Sequence, residues 1–152
     1  MINEIGAYLE TNLLADLGVG VYPTSLPLKE VVQGEDTQVT TYPAIKLVEE
    51  PMRSQRVEFG SGDLTQGVDR TYAWTIHGSV LGATRDAARG SAETLALRCE
   101  EWILSNYALG GLSDGSQVCD RSEPGPVYVT ARGSKDLWMG LWRIPIYIHT
   151  VT

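Results

Sequence analysis

The chain is 152 residues long, with 43% hydrophobic and 20% charged side chains and no extended Gly/Ser tract. That is enough apolar material for one folded domain, and it is not the composition of a disordered segment. The 19 acidic and 12 basic residues leave a formal charge of −7, which disfavours DNA, RNA or an anionic membrane as a partner unless a local basic patch overrides it, and the sequence displays none. Two cysteines, no basic-plus-apolar leader and no apolar run of the roughly 18 to 20 residues that a membrane helix needs predict a soluble, cytosolic protein without a disulfide framework.

At the start, Ile2, Ile5, Leu9, Leu13 and Leu17 recur at spacings of three and four, predicting a short amphipathic helix with Asn3 as N-cap and Gly18 as stop. Residues 21–24 read as a brief extended piece, and Pro27, Glu30, Gly34, Glu35 and Asp36 as a solvated loop. Thr, Tyr, Ile and Val over 39–48 predict a strand, with Pro43 at an edge position or a bulge. The polar, glycine-bearing stretch 49–70 reads as a long hairpin arm that becomes ordered against a partner. A half-buried strand follows, with Tyr72, Trp74, Ile76 and Val80 on one face and Thr71, Thr75, His77 and Ser79 on the other.

The strongest helix signal spans 84–107, with Thr84 as cap, Asp86 in the first turn and Gly110-Gly111 beyond the end. Ala88, Ala92, Leu95, Cys99 and Trp102 form one stripe whose small members permit close approach to a sheet. Ile103 joins it, while Arg85, Arg89, Glu93, Glu100 and Glu101 mostly face water. Strands at 117–121, 127–131 and 137–150, separated by turn-like segments 123–126 and 133–136, predict a closing antiparallel meander. In the last strand Trp138, Trp142, Ile144, Ile146 and Ile148 fall on even positions and Leu141, Pro145 and Tyr147 on odd ones. Both faces are therefore apolar: a helix of the same chain covers one, and a second layer or neighbouring subunit is expected on the other. The expected fold is α+β in a single domain over 1–152: a mainly antiparallel sheet with one long helix packed on a face, a short N-terminal helix and the hairpin arm 49–70.

Chemistry is sparse. The only histidines, His77 and His149, lie inside predicted strands, and no Gly-x-Ser-x-Gly elbow accompanies them. Cys99 suits a core position on the long helix, and Cys119 is ambiguous. No Cys-x-x-Cys, His-Glu-x-x-His or calcium-loop spacing occurs, and Gly60-Ser61-Gly62 and Gly18-Val19-Gly20 lack the context of a phosphate cradle. The acid pairs Glu49-Glu50 and Glu100-Glu101 read as solvated surface. Trp138, Trp142 and Tyr147 form either a stacking platform for sugars or bases, or core plus subunit contact. The acidic charge and the enrichment of aromatics in interfaces favour the second. No catalytic, cofactor-binding or metal-binding residue is assigned.

The order of elements, the opening Met1-Ile2-Asn3-Glu4-Ile5-Gly6-Ala7-Tyr8-Leu9, the helix 93–107 and the ending Leu141-Trp142-Arg143-Ile144-Pro145-Ile146-Tyr147-Ile148 resemble the tail terminator proteins of long-tailed bacteriophages. These are related to the lambda-type minor tail protein and to tail-completion proteins. The likeness covers the whole chain and is one of length, order and character rather than of a residue motif. It implies a non-enzymatic virion protein without cofactor, made in the host cytoplasm and placed in the tail or neck. There it forms a ring, usually of six, that caps the head-proximal end of the tail tube, stops tube polymerisation and offers a head-joining surface. The implied partners are further copies of itself, the major tail tube protein and the head–tail connector protein. DNA would slide through without specific binding, eased by acidic protomers if their acids line the lumen, and no membrane is involved.

Such a ring needs complementary lateral surfaces on each protomer. The expected contact residues are Trp142, Arg143 and Tyr147 on the last strand and Arg53, Arg56, Glu58 and Asp63 on the arm. Alternatives are a connector or stopper of the neck, a small α+β enzyme using His77 or Cys119, and a sugar- or peptide-binding module on Trp138 and Trp142.

Overall fold

The residues described by the structure, a computed structural model covering 2–18, 26–58, 66–106 and 121–151, form two helices, each followed by three strands. In chain order they are α1 (Ile2–Leu17), β1 (Glu30–Gln33), β2 (Ala44–Glu58), β3 (Gln66–Gly82), α2 (Arg85–Ser105), β4 (Arg121–Pro124), β5 (Tyr128–Ser134) and β6 (Leu137–Val151). They build one mixed, mostly antiparallel sheet in the order β1-β2-β3-β6-β4, with β5 also paired to β6 and only the β1–β2 pair parallel. The fold is α+β.

Both helices lie on the same side of the sheet. The expectation of one long helix beside a short one gives way to two substantial helices of 16 and 21 residues, α1 over β1 and β2, and α2 over β3, β6, β5 and β4. The 3.6-residue stripes explain the arrangement: Ile5, Leu9, Leu13 and Leu17 of α1 and Ala88, Ala92, Leu95, Ala96, Cys99, Trp102 and Ile103 of α2 are all buried. Asn3 falls inside α1 rather than capping it, because the helix already begins at Ile2. Thr84 does cap α2, its Oγ1 accepting the Ala87 N–H at 3.1 Å. The two helices are joined by the Trp102 indole, whose N–H donates to Asp16 at 2.8 Å and whose ring meets Tyr8 at 6.4 Å between centroids.

The sheet's helix-facing side is set by strict alternation. Tyr72, Trp74, Ile76 and Val80 of β3 and Trp142, Ile144, Ile146 and Ile148 of β6 are buried in one cluster with the helices. Two glycines make the packing sterically feasible. A Cβ on Gly78 would stand 1.8 Å from Trp142 Cε2, so the indole lies across the bare backbone of its cross-strand neighbour. One on Gly140 would stand 2.1 Å from the Ala88 carbonyl oxygen, so the N-terminal part of α2 approaches the sheet closely.

Several boundaries differ from expectation. Residues 30–33, assigned to a loop, form β1: a four-residue strand with only Val31 and Val32 between polar neighbours has too short a pattern to announce itself. The strand expected at 39–48 begins only at Ala44, after a cis Tyr42–Pro43 bond, and the irregular register lies instead between Glu50 and Arg53, around Pro51. The expected meander is replaced by two successive edge segments along the same side of β6, β5 against its first half and β4 against its second. Pro124-Gly125-Pro126 interrupts the edge without turning it back, because the Gly125 N–H still donates to the Pro145 carbonyl at 2.7 Å. In a strand the N and O of one residue point the same way, so the donor that Pro145 lacks falls on this interruption. The expected extended piece at 21–24, the strand at 117–120 and the Gly110-Gly111 stop lie outside the described residues.

Candidate functional surface

With both described helices on one side, no helix of the described residues covers the other face of the sheet, which collects the odd-numbered side chains of β3 and β6 and their cross-strand partners. A transverse row runs Lys46, His77, Arg143, Tyr128 over four neighbouring strands. The next rows carry Thr75 with Pro145, and Ala73 with Tyr147 and Glu123. The face is not paved: Tyr128 is 56% exposed and Tyr147 37%, and Leu81 and Leu137 also reach solvent.

Polar contacts stiffen this surface. Glu30, on the edge strand β1, accepts hydrogen bonds from the backbone N–H and the hydroxyl of both Thr40 and Thr41 through one oxygen, at 2.8 to 3.1 Å. The amides of Thr41 and then Thr40 hold its carboxyl below the usual carboxylate range. This clamp and a bond from Lys46 Nζ to the Glu35 carbonyl, 3.2 Å, raise the 34–43 segment into a wall along the open face. Thr75 Oγ1 donates to Glu50 at 3.1 Å. At the other end His149 Nε2 lies 3.1 Å from Glu123 Oε1, and its Nδ1 lies 3.1 Å from Thr71 Oγ1. A neutral ring protonated on Nε2 satisfies both contacts.

The wall bounds a groove of about 760 Å³ with Glu35, Tyr42, Lys46, Glu50, His77 and Leu141 among its lining residues. Across the ridge formed by His77 and Leu141 lies a smaller hollow of about 180 Å³ with Tyr128, Thr130, Arg132 and Arg143. The Arg143 guanidinium sits 5.5 Å from the centre of the Tyr128 ring, a cation–π contact that fixes its direction. His77 lies below the ordinary imidazole range, first because the groove walls partly desolvate it and then because Arg143 stands beside it, with Glu50 acting weakly the other way. It is therefore neutral at pH 7.

The expected contact residues separate. Arg143 and Tyr147 are on the open face and exposed. Trp142 is not: at 2% exposure it belongs to the interior beneath α2, because it shares the parity of Ile144, Ile146 and Ile148. Arg53, Arg56 and Glu58 lie in β2, and Asp63 lies outside the described residues. Tyr128, Arg132 and Lys46 carry no local signal for this face in the sequence, whereas Leu141 belongs to the odd-numbered apolar set of the last strand. The signal that finds them is register, since each pairs across the sheet with an odd-numbered residue of β3 or β6, or belongs to that set itself.

Among the described residues, the groups considered for catalysis are not brought together. Cys99 is buried on α2, its thiol pushed up to about 12 by desolvation, while His77 is on the opposite side of the sheet. His149 pairs with Thr71, six residues along β3 from His77, roughly 20 Å away at strand spacing. Cys119 lies outside the described residues. No group of three or more His, Cys, Asp or Glu side chains suited to a metal ion occurs among the described residues, and no described helix is long and apolar enough to cross a membrane. Compared with known proteins, the sequence matches no protein-family model and no curated protein.

Proposed function

We propose that this chain is a structural virion protein of the tail-terminator type, forming a ring, six-membered by resemblance, that caps the head-proximal end of a phage tail tube and offers the head-joining surface. The observation that carries the reading is the one-sided sheet. Both described helices lie on one face, and Tyr128, Leu141, Arg143 and Tyr147 lie on the other. Tyrosine and arginine around aliphatic side chains are the composition of contact hot spots. The β2–β3 hairpin supplies a second candidate contact. These strands continue to pair from Arg56↔Val68 to Glu58↔Gln66, beyond the last β3–β6 partners at Asp69↔Val151. In this reading the hairpin carries the arm, with Arg53, Arg56, Glu58 and Asp63 reaching a neighbour or the tube.

The partners are further copies, the tail tube protein and the connector protein, and DNA passes without specific binding. The test is assembly of tail tube protein with and without this chain, imaged by electron microscopy. A terminator yields shorter tubes, each closed at one end by a ring. Tubes of unaltered length and bare ends defeat the capping function, and a ring bound only to the connector moves the chain to the neck.

A further inference from the structure

The sheet is not the only unpartnered surface. Directly opposite its buried stripe, α2 exposes Leu97 at 53% and Leu104 at 60%, seven residues apart on one line. Glu93, Glu100 and Glu101 stand three or four residues from Leu97 and share that line. Leu104 adjoins Glu100 and Glu101 in the same way. The outer stripe of α2 is thus acidic around two leucines. On the far side of the molecule, the 180 Å³ hollow gathers Arg132 and Arg143 around Tyr128, Thr130 and Leu141, with no carboxylate among its described lining. In a chain of formal charge −7 this is a local reversal of sign. Two guanidiniums beside an aromatic ring and a hydroxyl suit a carboxylate, and arginine binds carboxylates with two parallel N–H donors.

We infer that the open sheet face of one copy receives the outer stripe of α2 from the next copy. Arg132 and Arg143 meet the carboxylates at 93, 100 and 101, while Tyr128 and Leu141 meet Leu97 and Leu104. The two surfaces lie on opposite sides of one protomer, one on the sheet's uncovered face and the other on the outside of the helix layer. The contact is therefore heterologous, each copy using a different surface towards each neighbour, and it closes into a ring when the rotation per step fits. The helical stripe contributes the acids and the hollow the bases, so each patch repels a copy of itself. Pairing hollow to hollow would set guanidiniums against guanidiniums, and stripe to stripe carboxylates against carboxylates. This assignment rests on the ring-forming reading and names its subunit contact.

Charge reversal tests it, because Arg132, Arg143 and Glu101 are exposed and Glu100 is partly so. Sedimentation of the full chain over a concentration series should show self-association. The variant Arg132→Glu with Arg143→Glu, and separately Glu100→Lys with Glu101→Lys, should each weaken it by at least about tenfold. An equimolar mixture of the two variants should restore it, since every contact then pairs opposite charges again. Restoration is a readout that a folding defect does not give. Absence of self-association in the unsubstituted chain, undiminished association of either variant, or a mixture no better than its components overturns the inference. Tube capping separates this from the broader reading: variants that associate and shorten tubes as well as the unsubstituted chain remove this contact and leave the capping function standing.

Discussion

Trp142 and Tyr147 stand five residues apart on β6 and on opposite faces of it. Trp142 lies across Gly78 under α2, whereas Tyr147 remains at the surface beside its cross-strand neighbour Glu123. Both are large aromatics in the same apolar strand, so hydrophobicity alone does not distinguish them. What does is the side on which the chain placed its helices. An apolar strand face states that something covers it, and only parity relative to the helices states whether the cover is internal.

The sharpest way to break this comparison is to remove the internal partner. Trp142→Ala empties a volume that α2, Gly78 and Cys99 cannot refill, and should cost about 3–5 kcal/mol in urea-induced unfolding. A loss below about 1 kcal/mol would mean that the indole is not a core element. Next is Gly78→Ala. Away from a steric conflict, alanine in a strand is no worse than glycine, but here the new methyl displaces the indole, and a loss of about 1–3 kcal/mol is expected from the same measurement. An unchanged or raised stability shows that the ring does not lie over that backbone.

A smaller, local effect is expected at the wall of the open face. Glu30 titrates below its ordinary 4.5 because the folded chain supplies the Thr40 and Thr41 donors. A carboxyl lowered on folding contributes stability that is complete above its unfolded value and is lost as the pH falls through the folded one. Hydrogen exchange at the Thr40 and Thr41 amides should therefore stay protected above pH 4.5 and lose protection below it, after correction for the intrinsic pH dependence of exchange. Glu30→Gln should lose that protection at every pH, and protection independent of both would remove the clamp. Smallest of all, Tyr147→Ala should move folding stability by no more than about 0.5 kcal/mol. A Tyr147→Ala loss comparable with that of Trp142→Ala would erase the distinction between the faces.

The sequence makes the covered side readable to a considerable depth. The α2 stripe, its Thr84 cap and the alternation of β3 all follow from local spacing, because burial against a helix layer writes a period into the chain. Trp142 has the parity of three buried isoleucines, and the same alternation assigns it to the core. Elements whose definition is non-local are harder to read. β1 exists because β2 offers it an edge, and its four residues carry no period of their own. The segment around Pro124-Gly125-Pro126 has the composition of a turn, and only the bond from Gly125 to Pro145 keeps it running along β6. The open face is the extreme case. Lys46, His77, Arg143 and Tyr128 come from four separate strands and meet only through register.

The interruption between β4 and β5 also decides how the molecule can be crowded. An uninterrupted rim of amides invites a foreign strand to add itself indefinitely, which is the route to fibrils. Here the rim beside β6 is notched midway, and the notch contains two prolines with no amide hydrogen to offer. A stranger strand laid along it loses its ladder at the middle. Many copies accumulating together are thereby turned away from open-ended stacking on this side and left to meet through side chains, whose geometry sets a finite number of neighbours.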